Sequence, residues 1–174
     1  MSSIDSLNRT PLFEIHQQLG ARIVEFAGWE MPIQYGGILD EVKQIRTNAG
    51  LFDVSHMGRL QIEGPDATAF LNSVLSVDVP KLRLGRAAYN VICDESGGII
   101  DDCIVYRRGP DKYLLIPNAS NTPPVVEWLE RWTPDDAQLT ITNVTTQYAM
   151  IANQGPNAVA YLQELTDTDL SKVR

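Results

Sequence analysis

A chain of 174 residues suits one domain, or part of a longer protein. Its 44% apolar and 21% charged residues are those of a globular soluble chain, and a net charge of −8 argues against a nucleic-acid surface or an anionic membrane as partner. No apolar run approaches the ~20 residues of a membrane span. The start Met1-Ser2-Ser3-Ile4-Asp5-Ser6 lacks the basic end and apolar core of a secretory signal, so a cytoplasmic protein is expected.

Thr10-Pro11 predicts the start of a short helix with Leu12, Ile15 and Leu19 on one face, closed by Gly20. Ile23-Val24-Glu25-Phe26 reads as a strand running into Ala27-Gly28-Trp29-Glu30-Met31-Pro32, and the stretch to Gly36-Gly37 has no regular period. Trp29, Met31 and Tyr35 within it either cover a core or line a site. A second helix follows, with Ile38, Val42 and Ile45 inward and Gly50 just past its end. Leu51 to Met57 enters a strand that runs on through Leu60 and Ile62. Asp53, Ser55 and His56 have the residue types of a catalytic triad. On a strand, however, Ser55 and His56 point to opposite faces, which argues against a hydrolase. His16 is expected to pack or to face solvent, and two histidines without grouped cysteines have no metal-ligand spacing.

Gly64-Pro65 starts a third helix with Ala67, Phe70, Leu71 and Val74 as its apolar face. Two apolar runs within Tyr89 to Tyr106 then flank Asp94-Glu95-Ser96-Gly97-Gly98, the glycine-rich signature of a hairpin turn. The second run carries two carboxylates. Strand alternation puts Asp102 on one face with Ile100, Ile104 and Tyr106, and Asp101 on the other with Ile99, Cys103 and Val105. A carboxylate on an apolar face is costly unless something hydrogen-bonds it. Either one aspartate caps the hairpin and the other is solvated, or one of them faces a ligand. The hairpin sets Cys103 opposite Tyr89 or Asn90, roughly 10 Å or more from Cys93, too far for a disulfide. Both cysteines read as reduced core thiols. Lys112 to Pro117 predicts another strand and Thr122-Pro123 a helix burying Val125, Trp128, Leu129 and Trp132. Leu139 to Ile141 and Ala149 to Ala152 predict further strands.

The chain repeats itself. Glu63-Gly64-Pro65-Asp66-Ala67-Thr68-Ala69-Phe70-Leu71 recurs as Gln154-Gly155-Pro156-Asn157-Ala158-Val159-Ala160-Tyr161-Leu162, and the same offset pairs Asp78-Val79 with Asp169-Leu170. A first copy over about 51–133 is expected to be followed by a second over about 139–174 that stops before its own hairpin. A helix whose partner strands are missing exposes its apolar stripe, so the chain is expected to be a fragment.

Phe26-Ala27-Gly28-Trp29-Glu30-Met31-Pro32, Leu51-Phe52-Asp53-Val54-Ser55-His56-Met57-Gly58 and Gly97-Gly98-Ile99-Ile100-Asp101-Asp102 together resemble the T-protein family of the glycine cleavage system, the aminomethyltransferases, from about Thr10 to the end. The resemblance implies an α+β fold with a mainly antiparallel sheet, packed helices and duplicated half-repeats. It implies transfer of a one-carbon unit from the lipoyl group of the carrier H-protein to tetrahydrofolate, with release of ammonia. Residue by residue, the family's catalytic aspartate falls on Asp102 and its folate-contacting positions on Met57, Tyr89, Ile104, Tyr106 and Asn118. Asp101→Asn is accordingly expected to leave turnover within about tenfold and to act through stability. The family's enzyme is roughly twice this length. Its later acidic and arginine folate ligands and its C-terminal barrel fall beyond Arg174, so the piece alone is expected to be inactive. The wider family leaves a different class open, a noncatalytic folate-binding or scaffold module related to sarcosine-type oxidase domains or to an iron–sulfur assembly protein.

Overall fold

A computed structural model describes residues 7–173. In chain order the elements are β1 (Asn8–Arg9), α1 (Phe13–Gln18), β2 (Arg22–Phe26), β3 (Trp29–Gln34), α2 (Ile38–Thr47), β4 (Gly50–Asp53), β5 (Leu60–Glu63), α3 (Ala67–Val74), β6 (Ala87–Cys93), β7 (Ile99–Gly109), β8 (Lys112–Ile116), α4 (Thr122–Trp132), β9 (Thr140–Asn143), β10 (Ile151–Gln154) and α5 (Ala158–Gln163). Among the described residues, no helix is long and apolar enough to cross a membrane. Packing divides the chain into two units, one up to Ser55 and resuming at Tyr148, the other His56–Gln147.

The second unit is a five-stranded antiparallel sheet in the order β6-β7-β8-β5-β9. Its core gathers alternate strand residues such as Leu60, Ile62, Ile92, Cys103, Val105, Tyr113 and Leu115. Ala67, Phe70 and Leu71 of α3 and Val125 and Leu129 of α4 cover that face. One side of the sheet is therefore sealed by helices, and the alternate residues of β6 and β7 point away from the core. The tip between β6 and β7 closes at Gly97, whose φ of +85° suits glycine, while the Asp94 carboxylate accepts from Ser96 N and Gly98 N at 2.8 Å each. Asp94, and neither Asp101 nor Asp102, is thus the hairpin's capping aspartate.

Strand alternation carries through the hairpin with one exception. Asn90 lies opposite Cys103, as the turn predicts, and Asp101, Cys103 and Val105 are buried while Asp102 and Tyr106 are exposed. Near the tip, Ile92 pairs with Asp101 but Cys93 pairs with Ile99, which leaves Ile100 as an extra residue. This β-bulge turns Ile100 to the core beside Asp101 and leaves Ile99 67% exposed, reversing the two isoleucines relative to plain alternation.

The first unit holds the mixed sheet β1-β3-β2, in which β1 runs parallel to β3, and the antiparallel pair β4–β10. The segment expected to be irregular after Phe26 is strand β3. Ala27 and Gly28, at φ of +52° and +81°, make a two-residue turn that pairs Phe26 with Trp29. Trp29 and Met31 are core residues. The helices here bury other faces than periodicity suggests: α1 buries Phe13 and His16 while Ile15 and Leu19 are exposed, and α2 buries no residue. The strand expected from Leu51 to Ile62 is two strands, β4 and β5, separated by a turn, and each belongs to a different unit. Exposed large apolar side chains are concentrated in the first unit; in the second they are Leu84, Tyr89, Ile99, Tyr106 and Trp132.

Candidate functional site

On the uncovered face of β7, Asp102, Ile104 and Tyr106 follow one another at alternate positions, and Tyr89 of β6 lies opposite Ile104. Tyr89 is the diagonal neighbour of Asp102, and its hydroxyl donates to Asp102 Oδ2 at 2.6 Å. That hydrogen bond, then desolvation and the nearby carboxylate charge, push the Tyr89 phenol above its usual range, so it stays a donor at neutral pH. Asn118, just past β8, closes the other side: its Nδ2 donates to the Asp102 backbone oxygen at 2.9 Å and to Asp102 Oδ1 at 3.1 Å. The exposed carboxylate is therefore held from two directions.

Met57 reaches the neighbourhood through the backbone. Gly58 N donates to Pro117 O at 2.9 Å, one residue before Asn118, and a Cβ at Gly58 would overlap Thr122 Oγ1 and the Pro117 ring. Glycine is what lets the 57–58 segment lie against the 117–122 loop. Arg59, fully buried, donates from Nη1 to Met57 O at 2.6 Å and from Nη2 to Thr145 O. Asp102, Tyr89, Ile104, Tyr106 and Asn118 are brought together on one face, with Met57 on the adjoining segment.

Asp101 is only 2% exposed. The buried carboxylate of the pair is thus Asp101, and it is satisfied by Asn118 and by Asn121, whose part in the site the sequence reading missed. The available signal was the turn Asn118-Ala119-Ser120-Asn121 itself, since Asn side chains in turns offer amide donors at short range. Cys103, next on the buried face, is no nucleophile: burial first, then the Asp101 charge, pushes its thiol up to about 12.

A second polar cluster lies within the first unit. Asp53 accepts from His16 Nε2 at 2.8 Å, from Thr10 Oγ1 at 2.7 Å and from Ser55 N at 2.8 Å, and the Tyr35 hydroxyl meets His16 Nδ1 at 2.7 Å. Burial alone would raise the Asp53 carboxyl; the hydrogen bonds from Ser55, His16 and Thr10 outweigh it and hold the group below its ordinary value. Asp53 pairs with His16, and Ser55 Oγ is engaged with the Met150 backbone. This constellation ties α1, β4 and the 35 region together and presents no serine nucleophile to a histidine base.

The family described as the GCVT N-terminal domain matches residues 12–174. The chain belongs to that family. It is 43% identical over 167 residues to the aminomethyltransferase of Listeria monocytogenes serotype 4a, covering 96% of this chain and 46% of that protein. To the aminomethyltransferase of Shouchella clausii it is 48% identical over 168 residues, covering 97% and 45%. The chain thus spans about half the length of the relatives it matches. The crystal structure of glycine cleavage system aminomethyltransferase T from Bartonella henselae superposes with a TM-score of 0.86 at 37% identity, over 91% of this chain and 44% of that one. Heterotetrameric sarcosine oxidase from Corynebacterium shares the fold, with a TM-score of 0.58 at 16% identity over 94% of this chain and 69% of that one. The α+β fold with mainly antiparallel pairing is that of this family.

Proposed function

We propose that the full-length protein is the aminomethyltransferase of the glycine cleavage system, taking the aminomethyl group from the lipoyl arm of H-protein to tetrahydrofolate and releasing ammonia. The observation that carries the reading is the Asp102 carboxylate, exposed on the face of the sheet that the helices leave open and oriented by Tyr89 and Asn118, in a chain with aminomethyltransferase relatives. Tyr89 and Tyr106 offer rings to a flat heteroaromatic and Ile104 an apolar floor between them, with Asn118 at one edge and Met57 on the adjoining segment. In the transfer two folate nitrogens bond to the carbon, the carbon–sulfur and carbon–ammonia bonds break, and the two displaced N–H protons leave on the thiol and on ammonia. Asp102 is suited to orient the attacking amine and to stabilise the positive charge that builds on it. Its present partners, a hydroxyl and an amide, both donate to the carboxylate oxygens and orient them.

The repeat belongs to the same reading, with copies over about 51–133 and 139–174. It is supported by local geometry. Gly64 and Gly155 adopt φ of +138° and +120° after β5 and β10, and each is followed by a helix. In each copy an acidic residue also pairs with a lysine three positions on, Asp78–Lys81 and Asp169–Lys172.

Asp102→Asn tests the function in the full-length protein. The amide keeps the size and some hydrogen bonding but removes the charge, so kcat for ammonia release from aminomethylated, lipoylated H-protein is expected to fall by roughly 10²-fold or more. Undiminished turnover by Asp102→Asn would remove the catalytic role of Asp102, and folate binding without any ammonia release by the unmodified protein would replace the enzyme with a binding module.

A further inference from the structure

Asp101 and Asp102 are adjacent, yet one is sealed in the sheet and the other exposed, and a single side chain touches both. The Asp101 carboxylate receives three N–H donors: Asn118 N at 2.9 Å to Oδ2, Asn118 Nδ2 at 2.9 Å and Asn121 Nδ2 at 2.6 Å to Oδ1. The same Asn118 Nδ2 reaches Asp102 O and Asp102 Oδ1. A primary amide has two N–H bonds and one oxygen, so its orientation decides what Asp102 meets. Turned over, Asn118 would set its carbonyl oxygen against the Asp102 carboxylate, two acceptors facing each other.

The backbone of Asn118 is fixed from both sides. Gly58 N holds Pro117 O, and Thr122 Oγ1 donates to Asn118 O at 3.0 Å. What remains to be set is the side-chain amide. Asp101, a buried acceptor, requires the NH2 group on its side. Asn121 completes the set of donors.

We propose that Asp101, supported by Asn121, is the positioning residue of this site: it sets the Asn118 amide so that its N–H groups face Asp102. The proposal rests on the catalytic reading of Asp102. It reverses the sequence-based expectation for Asp101→Asn. Asparagine fits the space, but its own NH2 must face at least one of the converging N–H donors, which loosens Asn118. In the full-length enzyme, Asp101→Asn is expected to lower kcat tenfold or more, with KM for tetrahydrofolate within about threefold and the folded fraction unchanged.

A purely structural role would not couple to Asn118, so the deciding measurement is a cycle with Asn118→Ala. In that background Asp101→Asn should cost less than about twofold further in kcat. A loss below tenfold in the folded single variant, or one that persists in full without the Asn118 amide, overturns the proposal. Should Asp101→Asn fail to fold, Asn121→Ala, at a half-buried position, takes its place: a kcat loss of at least about threefold that vanishes in Asn118→Ala supports the proposal, and any other result overturns it. Asp102→Asn run in parallel separates the failures. If Asp102→Asn is silent the catalytic reading falls; if it is severe while Asp101→Asn is silent, only the positioning role falls.

Discussion

Two neighbouring aspartates acquire different chemistry because a strand sends them to opposite faces and the surroundings finish the assignment. Asp101 meets three amide donors in the interior; Asp102 meets a phenol and an amide at the surface. Alternation alone separated them in the sequence, whereas the donors come from positions thirteen to twenty residues away and could not be read from spacing. Asp53 is the same lesson in the first unit: it pairs with His16, 37 residues earlier. No local pattern marks that pair. A carboxyl held below its ordinary value stabilises the fold fully above the unfolded-state value, near 4, and loses that contribution as pH falls through the lower folded value. Thermal unfolding followed between pH 6 and pH 2.5 should therefore show stability dropping in acid. Asp53→Asn should be less stable at pH 6 and show a shallower decline below about pH 4. An identical acid profile for both proteins would mean Asp53 contributes nothing to the linkage.

At the scale of elements, strands bounded by glycine turns were legible and helix faces less so. The hairpin of β6 and β7 follows from Gly97-Gly98, and β8 and α4 from their apolar runs and Thr122-Pro123. The β2–β3 turn was missed because it rests on a left-handed Ala27, a conformation that residue rarely adopts. Helix α2 reads as amphipathic yet buries none of its residues, since periodicity says which side is apolar but not whether anything packs there. Glycines differ in the same way. Gly97 at φ +85° has nothing within 4 Å of an added Cβ, so Gly97→Ala should cost only the left-handed penalty, about 1 kcal/mol. At Gly64, φ is +138° and a Cβ would overlap the Gln138 carbonyl oxygen, backbone that cannot swing aside. Gly64→Ala should lose roughly 3 kcal/mol or more by urea unfolding, combining strain with a forced shift of the β9 approach. Equal losses at the two positions would mean the close approach at Gly64 relaxes freely.

For the molecule as a whole, the candidate folate face is open. Tyr89 is 68% exposed and Tyr106 41%, and Asp102 beside them is exposed as well, so a pterin laid on this face would keep one side in water. High-affinity small-molecule sites bury most of their ligand, because each contact must outweigh the freedom lost on binding. A single-sided platform of two rings and a carboxylate offers little surplus. The 174-residue chain on its own is therefore expected to bind tetrahydrofolate with a Kd no tighter than about millimolar, whereas a full-length protein with an enclosing site is expected to bind in the micromolar range or better. The comparison needs a control that the shorter chain is folded, and the second unit supplies one. Its buried core should give a cooperative unfolding transition, visible as loss of near-ultraviolet circular dichroism from Trp128 and Tyr113. With that transition present, calorimetric titration of the 174 residues should show no saturable heat at tens of micromolar protein. Saturable micromolar binding by the folded short chain would mean that the Tyr89–Asp102–Tyr106 face is a complete site, and that walls from elsewhere in the protein add turnover but not affinity.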